Sequence, residues 1–305
     1  MQRTLALFLV FALASPAFAW NDKGHMVVAR LAWTKLTDEQ RSQVTAILKK
    51  HPHYEEFLIA RKPEGFSVNE WAFMRAATWG DWIRNRHAEE FSHPTWHYIN
   101  YPVTFPGGGV DPDKHQPPEK EENAVWAMNQ CLEKNAKGSD EEKAVYLTWL
   151  FHLVGDIHQP QHCVALFSEK YPEGDRGGNL IRIRVDSDPL NLHSFWDGLL
   201  GRELSAPAIG KDVAEIQAIM IEKATALKPD MDDHKTPDSW AREGAELARK
   251  AVYLDGELLK PRGEGAAADF IQVPADYAPA AGRLARVQIG KAGARLAEKL
   301  GELVK

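Results

Sequence analysis

Cysteine is nearly absent: the 305 residues contain two, Cys131 and Cys163. So few thiols exclude a disulfide-rich scaffold and a cysteine-based zinc finger. In an oxidising compartment the pair is compatible with one disulfide, and equally with two buried thiols. A basic excess is missing as well. Lys and Arg number 37 against 43 Asp and Glu, a formal charge of -6. The chain therefore has no global positive field with which to grip duplex DNA or a membrane surface. No apolar run of membrane length follows residue 19, no repeat period is visible, and alternating strand patterns are sparse. Against these absences, 44% hydrophobic and 26% charged residues are ordinary globular composition. Disordered, collagenous and coiled-coil readings are thereby excluded.

The first 19 residues stand apart. Arg3 gives a positive start, Leu5 to Leu13 form an apolar run too short to span a bilayer, and Ala17-Phe18-Ala19 fits the small-x-small cleavage pattern. Residues 1–19 are expected to be a secretory signal peptide. Cleavage between Ala19 and Trp20 would give a secreted or periplasmic protein starting at Trp20.

Beyond that point helical patterns dominate. Apolar periodicity predicts helices over 24–35, 38–48, 68–86, 120–136, 140–157, 192–200, 209–227 and 238–254, with one or two more over 275–304. Thr37 and Ser139 are expected N-caps, and Pro160 is expected to stop the helix before it. Ile181, Ile183 and Val185 alternate with Arg182 and Arg184, which predicts a small β-hairpin near 179–187. The Pro- and Gly-rich stretches 101–118, 171–178 and 261–268 read as surface loops. The expected fold is mostly α, a single-domain multi-helix bundle over 20–305.

Twelve His and ten Trp are many for this length. With cysteine excluded, a metal site here must use His and carboxylates. In FHLVGDIHQPQH (151–162), His152 and Asp156 are four apart and share one face of a predicted helix. His162 follows the Pro160 break, so the chain can turn it back toward the same cavity. In NLHSFWD (191–197), His193 and Asp197 repeat the spacing on a second helix. Two helices presenting the same pair is how bundle cores build multinuclear metal sites. His158 points off the His152/Asp156 face and is expected to support the ligands from behind. His51, His53, His87, His93, His115 and His234 sit in polar or loop contexts and are given no role.

Further motifs join this constellation: Trp20 followed by Gly24-His25, WGDWIR at 79–84, WHYIN at 96–100, and Gly177-Gly178-Asn179. Together they resemble the zinc-dependent, single-strand-specific nucleases of fungi, plants and bacteria (the type I nucleases), which share a fold with bacterial zinc phospholipase C. The resemblance covers essentially all of 20–305. It implies three Zn2+ ions per chain. Asp81, His97 and His152 would hold the first, with Asp156 bridging to a second held by Trp20 and His25. The third would be held by His162, His193 and Asp197. Trp20 would contribute its carbonyl oxygen and the free amine that leader removal creates. An α-amino group titrates near pH 8, so modest help from a metal frees its lone pair.

The implied activity is hydrolysis of phosphodiester bonds in single-stranded DNA and RNA to 5′-phosphorylated products, with 3′-nucleotidase activity, by a monomer that needs no membrane. Asp156 and Arg84 would be catalytic, and Arg84, three residues past Asp81, would meet the equatorial phosphoryl oxygens. Tyr98 would stack on a base and Asn100 would hydrogen-bond a base edge, where the family commonly has Asp. Two other readings are weighed. A phospholipase C on this scaffold carries Glu where Asp197 stands. A non-catalytic secreted zinc-binding helical protein would not need Arg84.

Overall fold

A computed structural model of the protein describes residues 20–84, 86, 90–111, 114–115, 122–186, 188–260 and 270–304. The leader expected at 1–19, the loop expected at 261–268 and His87 lie outside the described residues.

Among the described residues the chain forms eleven α-helices: α1 (Asp22–Lys35), α2 (Asp38–Leu48), α3 (Val68–Ala76), α4 (Trp79–Arg84), α5 (Ala124–Lys137), α6 (Asp140–Asp156), α7 (Leu192–Asp197), α8 (Ala206–Glu222), α9 (Ala224–Asp233), α10 (Pro237–Leu247) and α11 (Tyr277–Leu303). The expected caps are in place. Thr37 and Gln40 close a reciprocal capping box on α2, and Ser139 and Glu142 do the same on α6. No helix among the described residues is long and apolar enough to cross a membrane.

The centre of the molecule is α1, α6 and α11. α6 is buried continuously from Leu147 to Asp156, so it reads as apolar on every side rather than amphipathic. Burial of Phe151, Leu153 and Val154 stabilises the fold by about 1.5–3 kcal/mol each. That packing offsets the cost of carrying His152 and Asp156 into the same interior. α1 lies against α11, α3, α8 and α6. A second, smaller apolar cluster, with Ile183, Leu192, Trp196, Tyr253 and Tyr277, sits beneath the hairpin strands β3 (Arg182–Val185) and β4 (Asp188–Asn191).

The structure departs from the expected elements at several places. The helix expected over 68–86 breaks at Ala77 and Thr78 into α3 and α4. The break releases the Ala77 carbonyl, which accepts from His152 Nδ1 at 2.8 Å. The helix expected over 209–227 is divided at Lys223, outside helical geometry, into α8 and α9. The stretch 101–118 is not loop throughout. Its first residues form β1 (Tyr101–Val103), paired in parallel with β2 (Val164–Leu166). A further short strand, β5 (Ile271–Gln272), pairs with β3. Long-range pairing of this kind leaves no periodic mark in three-residue segments. Cys131 and Cys163 are separate, buried, free thiols.

Candidate metal centre

Six segments deliver the donor groups. α6 carries His152 and Asp156, one turn apart on one face. After α6, Gln159 is extended before Pro160, and a single 3-10 turn over Pro160–Cys163 swings His162 back. The β1–β2 ladder continues outward by the same register: the Ile99 N–H donates to the His162 carbonyl at 2.8 Å. His162 Nδ1 in turn donates to the His97 carbonyl at 2.5 Å. This places His97 and His162 side by side although 65 residues separate them. α1 brings His25 against α6. A Cβ on Gly155 would collide with the His25 ring, so only glycine allows this approach.

The donors gather into three groups, each with its atoms within 4.8 Å of one another: His25, His152 and Asp156; Asp81, His97 and His152; and His162, His193 and Asp197. All are buried. Asp156 faces two ways. Its Oδ1 lies 3.3 Å from His25 Nε2, while Oδ2 lies 3.1 Å from His97 Nδ1 and 3.3 Å from His152 Nε2. His97 Nδ1 and His152 Nε2 each lie 3.8 Å from Asp81 Oδ1. A tetrahedral site with metal–ligand bonds of about 2.1 Å has donor–donor edges of about 3.4 Å, the spacing around which these distances scatter.

The third group shows most plainly that these contacts suit a cation. His193 Nδ1 lies 2.6 Å from the Gly177 carbonyl. A carbonyl only accepts, so Nδ1 of both His162 and His193 carries a proton, and in a neutral ring Nε2 is then a lone pair. Yet the two Nε2 atoms face each other at 3.0 Å. Two lone pairs repel at that distance unless a proton or a metal ion lies between them. Burial pushes His162 down to about 3, which disfavours the proton. The Gly177 carbonyl reaches His193 from a backbone at φ +59, the left-handed region that favours glycine.

The electrostatics of the other groups point the same way. Burial lowers His25, and it lowers His97 to about 3. Burial also opposes a charged His152, but Asp156 and Asp81 raise it to about 9. Asp156 is held well below the usual carboxylate range, because His152 overcomes the burial that would raise it. Burial raises Asp81 to about 7 and lifts Asp197 well above its ordinary value. A dication within bonding distance reverses the last two shifts and keeps the carboxylates ionised. Both ring nitrogens of His25, His97 Nε2 and Asp156 Oδ1 are buried without a hydrogen-bond partner among the described residues. Orphaned donors of this kind are rare in native interiors and call for an ion or a ligand. The side chains present, all nitrogen and oxygen donors, fit zinc.

The remaining expected residues are placed as follows. Trp20 is fully buried at the start of α1, packed over Gly24, and its successor Asn21 donates to the Asp197 carbonyl at 3.1 Å. Arg84 ends α4, and its positive charge acts on both Asp81 and His97. Tyr98 is 37% exposed and Asn100 is exposed, while the alternating His97 and Ile99 are buried. His158 corrects the sequence expectation: its ring lies on the Val154 carbonyl at 2.7 Å and on Arg295 at 2.7 Å, away from the donors. The supporting role falls instead to Gln159, whose amide donates to Asp197 Oδ1 at 2.8 Å and whose Oε1 accepts from Gln161 N–H. Its position between His158 and Pro160 was the available signal.

A mostly helical protein with clustered, buried imidazoles and carboxylates around a carboxylate that faces two ways has the donor set of a metal-binding protein. The sequence profile of the S1/P1 Nuclease family matches residues 20–305, and the chain belongs to that family. It is similar to Nuclease S1 of Aspergillus oryzae, 26% identical over 259 residues, 80% of each chain. It is also similar to two Arabidopsis thaliana proteins. Endonuclease 4 is 24% identical over 196 residues, 62% of this chain and 57% of that relative, and Endonuclease 5 is 23% identical over 266 residues, 82% of each. The family makes the chain a nuclease, and hence a hydrolase acting on nucleic acid.

Proposed function

We propose that this nuclease is a secreted, zinc-dependent endonuclease of single-stranded DNA and RNA. It would release 5′-phosphorylated products and also act as a 3′-nucleotidase. The observation that carries the metal dependence is the pair of imidazole nitrogens, His162 Nε2 and His193 Nε2, opposed at 3.0 Å while Nδ1 of each ring lies on a carbonyl. Asp81, His97 and His152 would hold one zinc, Trp20 and His25 a second, with Asp156 shared, and His162, His193 and Asp197 a third. Bound zinc would supply Lewis acidity toward the phosphate and a lowered pKa to water.

The chain's own groups do the rest. Asp156 keeps its two oxygens aimed at two donor groups and so fixes their spacing. Arg84, beside Asp81, offers a planar guanidinium to the equatorial phosphoryl oxygens as their charge grows. Tyr98 stands exposed next to His97, where a base lifted out of a strand can stack on its ring. Asn100, two residues on and on the same outward side, offers a donor and an acceptor to a base edge. Stacking of that kind requires an unpaired strand, which favours single-stranded substrates.

The test is cleavage of matched single-stranded and duplex DNA by the secreted protein, before and after chelation and after zinc is restored. The expected result is single-strand cleavage that disappears with chelator, returns with zinc and leaves 5′-phosphate ends. Release of phosphorylcholine from a short-chain phosphatidylcholine, with no cleavage of the strand, would overturn it.

A further inference from the structure

The metal groups, Arg84, Tyr98 and Asn100 leave one large feature unused. A cavity of about 740 Å3 also borders Asp81, and none of Arg84, Tyr98 or Asn100 lines it. Its volume falls in the range of about 300–1,000 Å3 typical of small-molecule sites. Three arginines reach into it: Arg61, Arg75 and Arg86.

These arginines differ from six others in the protein. Arg30, Arg41, Arg242, Arg249, Arg286 and Arg295 each make an ion pair with a carboxylate. Among the described residues no carboxylate lies within ion-pair distance of Arg61, Arg75 or Arg86. Two of them are instead spread on aromatic faces: Arg75 lies 3.8 Å from the Phe57 ring centroid and Arg86 4.7 Å from that of Trp82. Such stacking fixes the guanidinium plane and leaves its N–H edges open. The buried Nε of Arg75 has no hydrogen-bond partner among the described residues. Arg61 is held at φ +54, a left-handed conformation uncommon for a residue with a side chain. The carbonyl of the preceding Ala60 accepts from Trp71 Nε1 at 3.0 Å, which fixes that turn. Among the described residues, the carboxylates on the cavity are Asp22, Glu56 and Asp81. With Asp81 committed to the metal centre, three guanidiniums face two carboxylates.

Resting on the nuclease reading above, we propose that this cavity is a strand-binding subsite, which takes the nucleotide adjacent to the phosphate at the metal centre. Arg61, Arg75 and Arg86 receive its backbone phosphate, and its base stacks against the Arg86–Trp82 layer. The site is concave and reached beside a buried donor group, so a splayed single strand can enter it and a stacked duplex cannot. The cavity thus adds to strand selectivity from the side of the centre that Tyr98 and Asn100 do not serve.

The test compares a single strand of twelve nucleotides with a dinucleoside monophosphate, whose single phosphate lies at the metal centre and leaves none for the arginines. In the double variant Arg61→Glu/Arg86→Glu, the ratio of the KM for the twelve-mer to that for the dinucleotide rises about tenfold. The slope of log KM against log salt for the twelve-mer shrinks by about 1.4, the value for two lost phosphate contacts on a single strand. Arg61→Asn, which tolerates the left-handed backbone, shifts the ratio the same way by about threefold. A ratio and a salt slope unchanged in both variants, with the wild type active, overturn the subsite and leave the nuclease reading standing. A wild type that cleaves neither substrate overturns that reading and the subsite with it.

Discussion

Two clusters of buried charge meet the C-terminal end of α6, and they differ in the source of their positive charge. In the first, Lys291 lies between Asp230 and Glu243, at 2.5 Å from Glu243 Oε1. Arg295 donates to Glu243 Oε2 at 2.8 Å and faces His158 at 2.7 Å. Asp230, His234 and Glu243 lie close enough together to surround a cation, and the Lys291 ammonium is already there. In the second cluster, His25, Asp81, His97, His152 and Asp156 converge with no lysine among them, and Arg84 acts from the end of α4. In the first the carboxylates are met by Lys291 and Arg295, and Arg295 Nε is left over; in the second, three imidazole nitrogens and a carboxylate oxygen are buried without a hydrogen-bond partner among the described residues. The interior carries carboxylates and imidazoles in both places at a desolvation cost of several kcal/mol per ion. Where the sequence provides a lysine the result is a structural tie between α9, α10 and α11. Where it provides none, the result is a place for metal.

Variants that remove one partner from each cluster sharpen this contrast. The largest effect is expected from Asp156→Asn, which spoils the carboxylate that faces two donor groups. Hydrolysis of single-stranded DNA should fall by about a thousandfold or more, and elemental analysis should find less zinc per chain. In the other cluster, Lys291→Met should leave the zinc content at the wild-type level. It should lower unfolding stability in urea by about 1–3 kcal/mol, because it removes the cation that Asp230 and Glu243 share. Zinc loss in the lysine variant would erase the distinction.

Acid affects the lysine cluster through Glu243. Burial opposes its carboxylate, but Arg295 and Lys291 hold it at about 2, against an ordinary 4.5. A folded value below the unfolded one means stabilisation that is complete above about 4.5 and is lost as pH falls toward about 2. Glu243→Gln should therefore flatten the loss of stability across that window, as followed by thermal melts. The smallest effect is expected at the exposed Asn100. Asn100→Asp should reorder the rates on the four homopolymers, because Asp only accepts where Asn also donates. Unchanged relative rates would remove Asn100 from base recognition.

Much of the second cluster was legible in the sequence. The i, i+4 pairs His152/Asp156 and His193/Asp197 follow from helical geometry alone, and the Pro160 break explains how His162 returns. The helices and their Thr37 and Ser139 caps were legible for the same local reason. Features built by distant segments were not. The register that sets Ile99 on His162 extends a three-residue ladder, too short to carry a periodic pattern. The split at Ala77 leaves no proline or glycine signal and becomes intelligible only when His152 is seen on the freed carbonyl. Closeness to Asp156 in sequence suggests that His158 supports the donors. It turns away because Arg295, 137 residues distant, offers it a partner. The lysine cluster and the arginine-lined cavity likewise unite segments that local patterns cannot connect.

The most direct test of the central claim is a native mass spectrum of the intact secreted protein, which reports where the chain starts and how many metal ions it holds. A chain that starts at Trp20 and carries three zinc ions is the predicted result. An active protein that carries no zinc would contradict the assignment of the orphaned donors to metal.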